Sequence, residues 1–154
     1  MPFDPQAPTE EDRSRAFTTT WVGLAGSIVT TTGAVLGWDN IVFSLALGAA
    51  VGGLIIAAFQ GHFDDYFRSL SAVGTRWLAA VLAIYLFCAF LVQIADLAYG
   101  IGFAASSGRL PDAGNESRAY ILDGPFVAAF LALVYHAGFA FAWLRDRFST
   151  ESSG

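Results

Sequence analysis

Charge is what this chain has least of. Only 14% of its 154 residues are Asp, Glu, Lys or Arg, against roughly 25% in an ordinary soluble domain, and that deficit excludes a water-soluble globule, whose exterior must be largely polar. Lysine is missing altogether: all eight cations are Arg, a bias that carries no functional weight. With a net charge of −5 and no basic run, nucleic-acid binding is excluded as well. A single cysteine, Cys88, rules out a disulfide framework and paired-cysteine metal sites. It lies in the apolar run Tyr85 to Val92, where a thiol acts as a small hydrophobe. Signatures of soluble enzymes are also lacking: no P-loop, dinucleotide glycine fingerprint, G-x-S-x-G elbow or H-E-x-x-H. No catalytic residues and no metal site are expected. His62, Asp64 and Asp65 fall close together but lack a fourth ligand and read as a solvated helix start.

What is present is apolar. Hydrophobic residues make up 55% of the chain and mean hydropathy is +0.55, which excludes disorder and points to lipid as the solvent. Four stretches approach the roughly 20 apolar residues that cross a bilayer, about 17–37, 41–60, 77–99 and 125–144, and none contains Lys, Arg or Glu. The expected fold is all-α, a four-helix transmembrane bundle spanning 17–144. A flexible polar segment, 1–16, precedes it and a polar tail, 145–154, follows. The leader lacks a positive n-region, so no cleaved signal peptide is expected.

Arginine placement orients the bundle. With the N-terminus inside, Arg13, Arg15, Arg68, Arg76, Arg145 and Arg147 are cytoplasmic, against Arg109 and Arg118 outside. Six against two favours N-in, C-in in a bacterial inner membrane. Trp21, Trp77 and Trp143 then fall near the inner interface, and Trp38, Tyr99 and Tyr120 near the outer one. Trp38, Asp39 and Asn40 make a tight turn between the first two spans, with Asp39 or Asn40 capping the second. Residues 61–76 place Phe63, Phe67, Leu70 and Val73 on one helical face, with Asp64 and Arg68 at i,i+4; the expectation is a short helix in the inner interface. The outer connection, 100–124, is long and rich in Gly and Ser, and its start, 101–105, either prolongs the third helix or dips toward lipid. Asn115-Glu116-Ser117 fits the N-glycosylation pattern but is discounted in a bacterial protein.

Two features carry what chemistry there is. In the first span Thr19, Gly23, Gly26, Thr30, Gly33 and Gly37 recur at alternating steps of four and three, and in the second Ser44, Gly48 and Gly52 recur at four. Small residues allow the close backbone approach through which helices associate in lipid, so these nine are the expected packing seam. Around it Thr18, Thr20, Ser27, Thr31 and Thr32 make a hydroxyl stripe that serves either packing or a water-lined path. The second feature is intramembrane polarity: Gln93 and Asp96 at i,i+3 in the third span, and His136 deep in the fourth. Ala132 precedes His136 by four, and A-x-x-x-H is similar to the spacing by which bacterial antenna polypeptides hold bacteriochlorophyll and some helices hold haem.

The function expected is a non-catalytic accessory, scaffold or assembly subunit of a larger inner-membrane complex. Its partners would be lipid and other membrane subunits or itself, with Phe126, Phe130, Phe139 and Phe141 filling grooves. The alternatives are a small oligomeric channel or proton/ion carrier, and a pigment- or haem-binding subunit using His136.

Overall fold

A computed structural model describes residues 9–59, 64–108 and 124–151. The described residues form four helices and no strand: α1, Glu10–Val35; α2, Ile41–Ala58; α3, Asp65–Ser107; and α4, Gly124–Glu151. The all-α architecture expected from composition is therefore what folds, with boundaries that differ in physically readable ways.

Helix α1 starts seven residues before the apolar span. Thr9 caps it, its hydroxyl accepting from the Asp12 N–H at 3.2 Å, while the Asp12 carboxylate accepts from the Thr9 N–H at 3.2 Å and its O–H at 2.6 Å. This reciprocal box satisfies end donors that would otherwise be orphaned, so residues 10–16 are helical rather than flexible. At the far end Gly37, with φ +68°, permits the Gly37 N–H to reach the Ala34 carbonyl and the Trp38 N–H the Gly33 carbonyl, a Schellman termination. Asn40 then caps α2 by accepting from the Phe43 N–H at 3.0 Å. The α1–α2 turn is as tight as expected.

The largest departure concerns α3. The expected interfacial helix over 61–76 does not exist as a separate element; from Asp65 its residues are the first turns of a single 43-residue helix. Nothing interrupts it, because the segment contains no Pro, and Gly74 is retained for contact rather than for a break. Phe67 and Leu70 point into the bundle, where with Ala16, Phe139 and Ala142 they form the buried core. Asp64 caps α3, accepting from the Phe67 N–H at 2.8 Å, and meets Arg13 at 3.0 Å; Arg68 meets Asp65 at 3.5 Å. At ~1.5 Å per residue α3 is about 64 Å long, roughly twice a hydrocarbon core. It prolongs itself through 101–107 before Gly108, φ +66°, ends it. Helix α4 likewise carries on through 145–151, so the described part of the expected polar tail is helical.

Helix α1 packs chiefly on α2, and α3 on α4, with α1 against α4 joining the two hairpins. Around their common end Phe17 meets Phe67 edge-on at 5.4 Å and Phe139 at 6.0 Å, and Trp21 meets Trp143 at 5.2 Å. Three helices, α2, α3 and α4, are long and apolar enough to cross a membrane. Helix α1 is not among them, since its Thr and Ser residues dilute the apolar ones. None of the most apolar stretch of α3, mean hydropathy 2.5, is buried.

Candidate functional site

Glycine decides where the helices touch. On α1, Gly23, Gly26, Thr30 and Gly33 are buried and Thr19 half-buried. A Cβ at Gly26 would lie 2.6 Å from the Ala46 carbonyl oxygen, and one at Gly33 would lie 2.9 Å from Phe43. Gly37 has open space around it and belongs to the turn. The expected partner face on α2 is displaced. Ser44 and Gly48 are exposed, and a Cβ at Gly48 or Gly52 would meet nothing within 4 Å. Helix α2 instead presents Ala46, Ala50, Gly53 and Ala57. The reason is geometric. Steps of four drift around a helix by ~40° each, whereas the 4-3-4 steps of Ala46, Ala50, Gly53 and Ala57 keep pace with the seam on α1. A second close crossing, unforeseen, joins α3 to α4: a Cβ at Gly74 would lie 2.7 Å from the Tyr135 carbonyl oxygen, and one at Gly138 3.0 Å from the Gly74 Cα.

At the first crossing sits His136, 1% exposed. Its Nδ1 lies 2.8 Å from the Ala132 carbonyl oxygen and 3.0 Å from Ser27 Oγ, and Ser27 itself donates to the Gly23 carbonyl at 2.8 Å. A carbonyl only accepts, and the Ser27 proton is engaged, so Nδ1 carries the hydrogen and shares it between the two oxygens. The ring therefore turns its other nitrogen, Nε2, toward α1 and α2. There Nε2 is buried without a hydrogen-bond partner among the described residues, and it lies 2.5 Å from where a Cβ would stand on either Gly23 or Gly53. The imidazole is wedged against two bare α-carbons and links α4 to both helices of the first hairpin.

This geometry leaves a macrocycle no place. An axial ligand needs open space beyond Nε2, and here that space is the Gly23–Gly53 crossing, so the residues do not fit bacteriochlorophyll or haem. The hydroxyl stripe divides. Thr20, Ser27 and Thr30 are buried and donate to the carbonyls of Ala16, Gly23 and Gly26 one turn back. Thr18 and Thr32 are exposed, and Thr31 buries a hydroxyl that has no partner among the described residues. Gln93 and Asp96 are not brought to His136. Tyr135, beside it, bonds Ser71 at 2.7 Å, about 37 Å along α3 from Asp96. Gln93 is exposed and Asp96 half-buried.

Cys88 is exposed rather than packed inside. It lines an apolar groove of about 290 Å³ between α3 and α4, with Val81, Tyr85, Phe126, Val127, Phe130 and Leu131. Of the four phenylalanines expected to fill grooves, Phe139 is core, Phe126 and Phe130 stack along this groove, and Phe141 lies against Trp77. No cluster of three metal-ligating side chains occurs among the described residues; His62 and 109–123, with Asn115, lie outside them. Comparison with protein-family models, curated proteins and solved structures finds no match.

Gly53, Tyr135 and the Gly74–Gly138 crossing did not stand out as sites in the sequence, and Ser27 did so only as part of the hydroxyl stripe, not as a partner of His136. The 4-3-4 spacing around Gly53 was the available signal.

Proposed function

We propose that this chain is a non-catalytic scaffold or assembly subunit of a larger complex in a bacterial inner membrane. One contrast carries the proposal: His136 and Tyr135 bond across to Ser27 and Ser71 on neighbouring helices, while no residue in the most apolar stretch of α3 is buried. A helix apolar on all sides belongs inside a larger assembly or in lipid. The buried hydroxyls of Thr20, Ser27 and Thr30 close on carbonyls one turn back in their own helix, which favours packing over conduction.

In the proposed topology all four helices cross, N-in and C-in, with α1 tolerated in lipid because Thr20, Ser27 and Thr30 are buried in the bundle. The contact between Arg13 and the cap of α3 and the shared core of Ala16, Phe67 and Ala142 support grouping the N-terminal arginines, the start of α3 and the end of α4 on one side. That side carries the six inner arginines of the positive-inside count. Purification of the native assembly in mild detergent, followed by identification of co-migrating chains, tests the function. Stoichiometric membrane subunits are expected; a chain that migrates alone as a monomer overturns the proposal.

A further inference from the structure

Between Leu86 and Ala95 only Gln93 is polar. It is exposed, and its amide meets no hydrogen-bond partner among the described residues. An amide facing hydrocarbon is costly unless something answers its donors and acceptor. Gln93 does not stand alone on its face. Ala79, Ala83, Leu86, Phe90, Gln93 and Leu97 follow one another at steps of four and three, the 3.5-residue average that holds one seam toward a partner helix. All six are exposed, Leu86 at 57%, Phe90 at 55% and Leu97 at 64%. The side of α3 that α4 covers, marked by Val81 and Tyr85 in the apolar groove, is a different one. Two alanines at one end allow close approach, and three large side chains follow.

Resting on the reading of α3 as a membrane association face, we propose that a second copy of this chain docks along this seam, with Gln93 paired to its own counterpart across a two-fold axis. The argument for self rather than a foreign chain is chemical. A carboxamide offers both donor and acceptor, so it complements itself, and a two-fold interface sets a residue opposite its twin. A lone polar residue in an apolar seam also fixes register, because any slip leaves both amides unanswered.

Cross-linking of the purified full chain in phosphatidylethanolamine/phosphatidylglycerol vesicles tests it. In a Cys88→Ser background, Leu86→Cys, Phe90→Cys and Leu97→Cys are expected to oxidise to dimers, and Ile84→Cys and Leu91→Cys are not. The unmodified chain is expected to stay uncross-linked, since Cys88 lies about 200° around the helix from Phe90. Gln93→Leu should weaken dimerisation, followed by energy transfer on dilution in lipid, by about three- to thirty-fold, and Gln93→Asn should recover part of the loss. Cross-linking without this periodicity, or an undiminished dimer in Gln93→Leu, overturns the proposal. The vesicles contain no other chain, so the outcome is separate from the co-migration experiment. A silent seam with co-migrating subunits defeats self-docking alone, and a cross-linked seam without them defeats only the larger complex.

Discussion

Replacing Gly23 by Ala puts the sign of a stability change at stake. In an exposed helix Gly→Ala stabilises by ~0.5–1 kcal/mol, because Ala has less backbone freedom to lose. At Gly23 the new methyl would stand 2.5 Å from His136 Nε2 and 3.0 Å from the Gly53 Cα. Neither neighbour yields easily: the ring is held by Ala132 and Ser27, and moving a backbone atom means separating α1 from α2. Overpacking of this kind costs about 1–3 kcal/mol, so Gly23→Ala is expected to destabilise on balance by ~1–2 kcal/mol. His136→Ala removes the wedge and leaves a cavity, at about 2–4 kcal/mol.

The double variant separates this account from mere sensitivity of the core. With the ring gone, the methyl introduced by Gly23→Ala enters vacated space, and the combined loss should fall short of the sum of the two by ~1–2 kcal/mol. Unfolding of each protein in mixed micelles titrated with SDS, followed by far-ultraviolet circular dichroism, reads all four corners of the cycle. Additivity within about 0.5 kcal/mol, or a Gly23→Ala protein as stable as the parent, would refute the wedge.

Gly48→Ala and Gly52→Ala carry the opposite sign: with nothing within 4 Å of the new methyl, each should gain ~0.5–1 kcal/mol in the same titration, and a loss would restore them to the helix seam. Tyr135→Phe breaks the 2.7 Å bond to Ser71 and should cost ~0.5–1.5 kcal/mol; an unchanged midpoint would mean that the bond contributes nothing to holding α3 on α4. The Thr9 hydrogen bonds, hydroxyl first and backbone N–H second, hold the Asp12 carboxyl below its ordinary 3.8. A lowered folded value means that the cap's contribution is complete above the ordinary value and lost as pH falls through the folded one. Amide-exchange protection in the first turn of α1 should therefore persist down to about pH 4 and fade below it; fading well above that pH would contradict the box.

Helix content was legible because apolar runs and caps are local properties: Asn40 announces α2 in sequence and the glycines of α1 mark its buried face, whereas the cap at Thr9, set in a polar, proline-rich leader, was not foreseen and α1 was expected to begin only at 17. The facing surface of α2 was not legible from its own residues. That helix is apolar all round, so hydrophobicity selects no side, and Ser44, Gly48 and Gly52 satisfy a small-residue rule as well as Ala46, Ala50 and Gly53 do. Only matching the step pattern of α1 distinguishes them. The same lack of contrast hid the continuity of α3, where an amphipathic start and an apolar remainder resemble two elements although no residue breaks the helix between them.

His136 shows what locality leaves out. Its A-x-x-x-H spacing describes one helix, whereas its role is set by Ser27, Gly23 and Gly53, more than 80 residues away on two others. A small residue four positions before a histidine suits a macrocycle only if the space beyond Nε2 is free. Here two glycines bring α1 and α2 close enough to occupy that space, so the same small-residue economy that makes lipid-embedded packing possible removes the site that the spacing suggested. A polar group that is buried and engaged at one nitrogen then acts as a specificity device, fixing which face of α4 meets the first hairpin. The amide of Gln93 lies elsewhere, exposed on the face of α3 turned away from α4, where the proposed second copy would supply its partner.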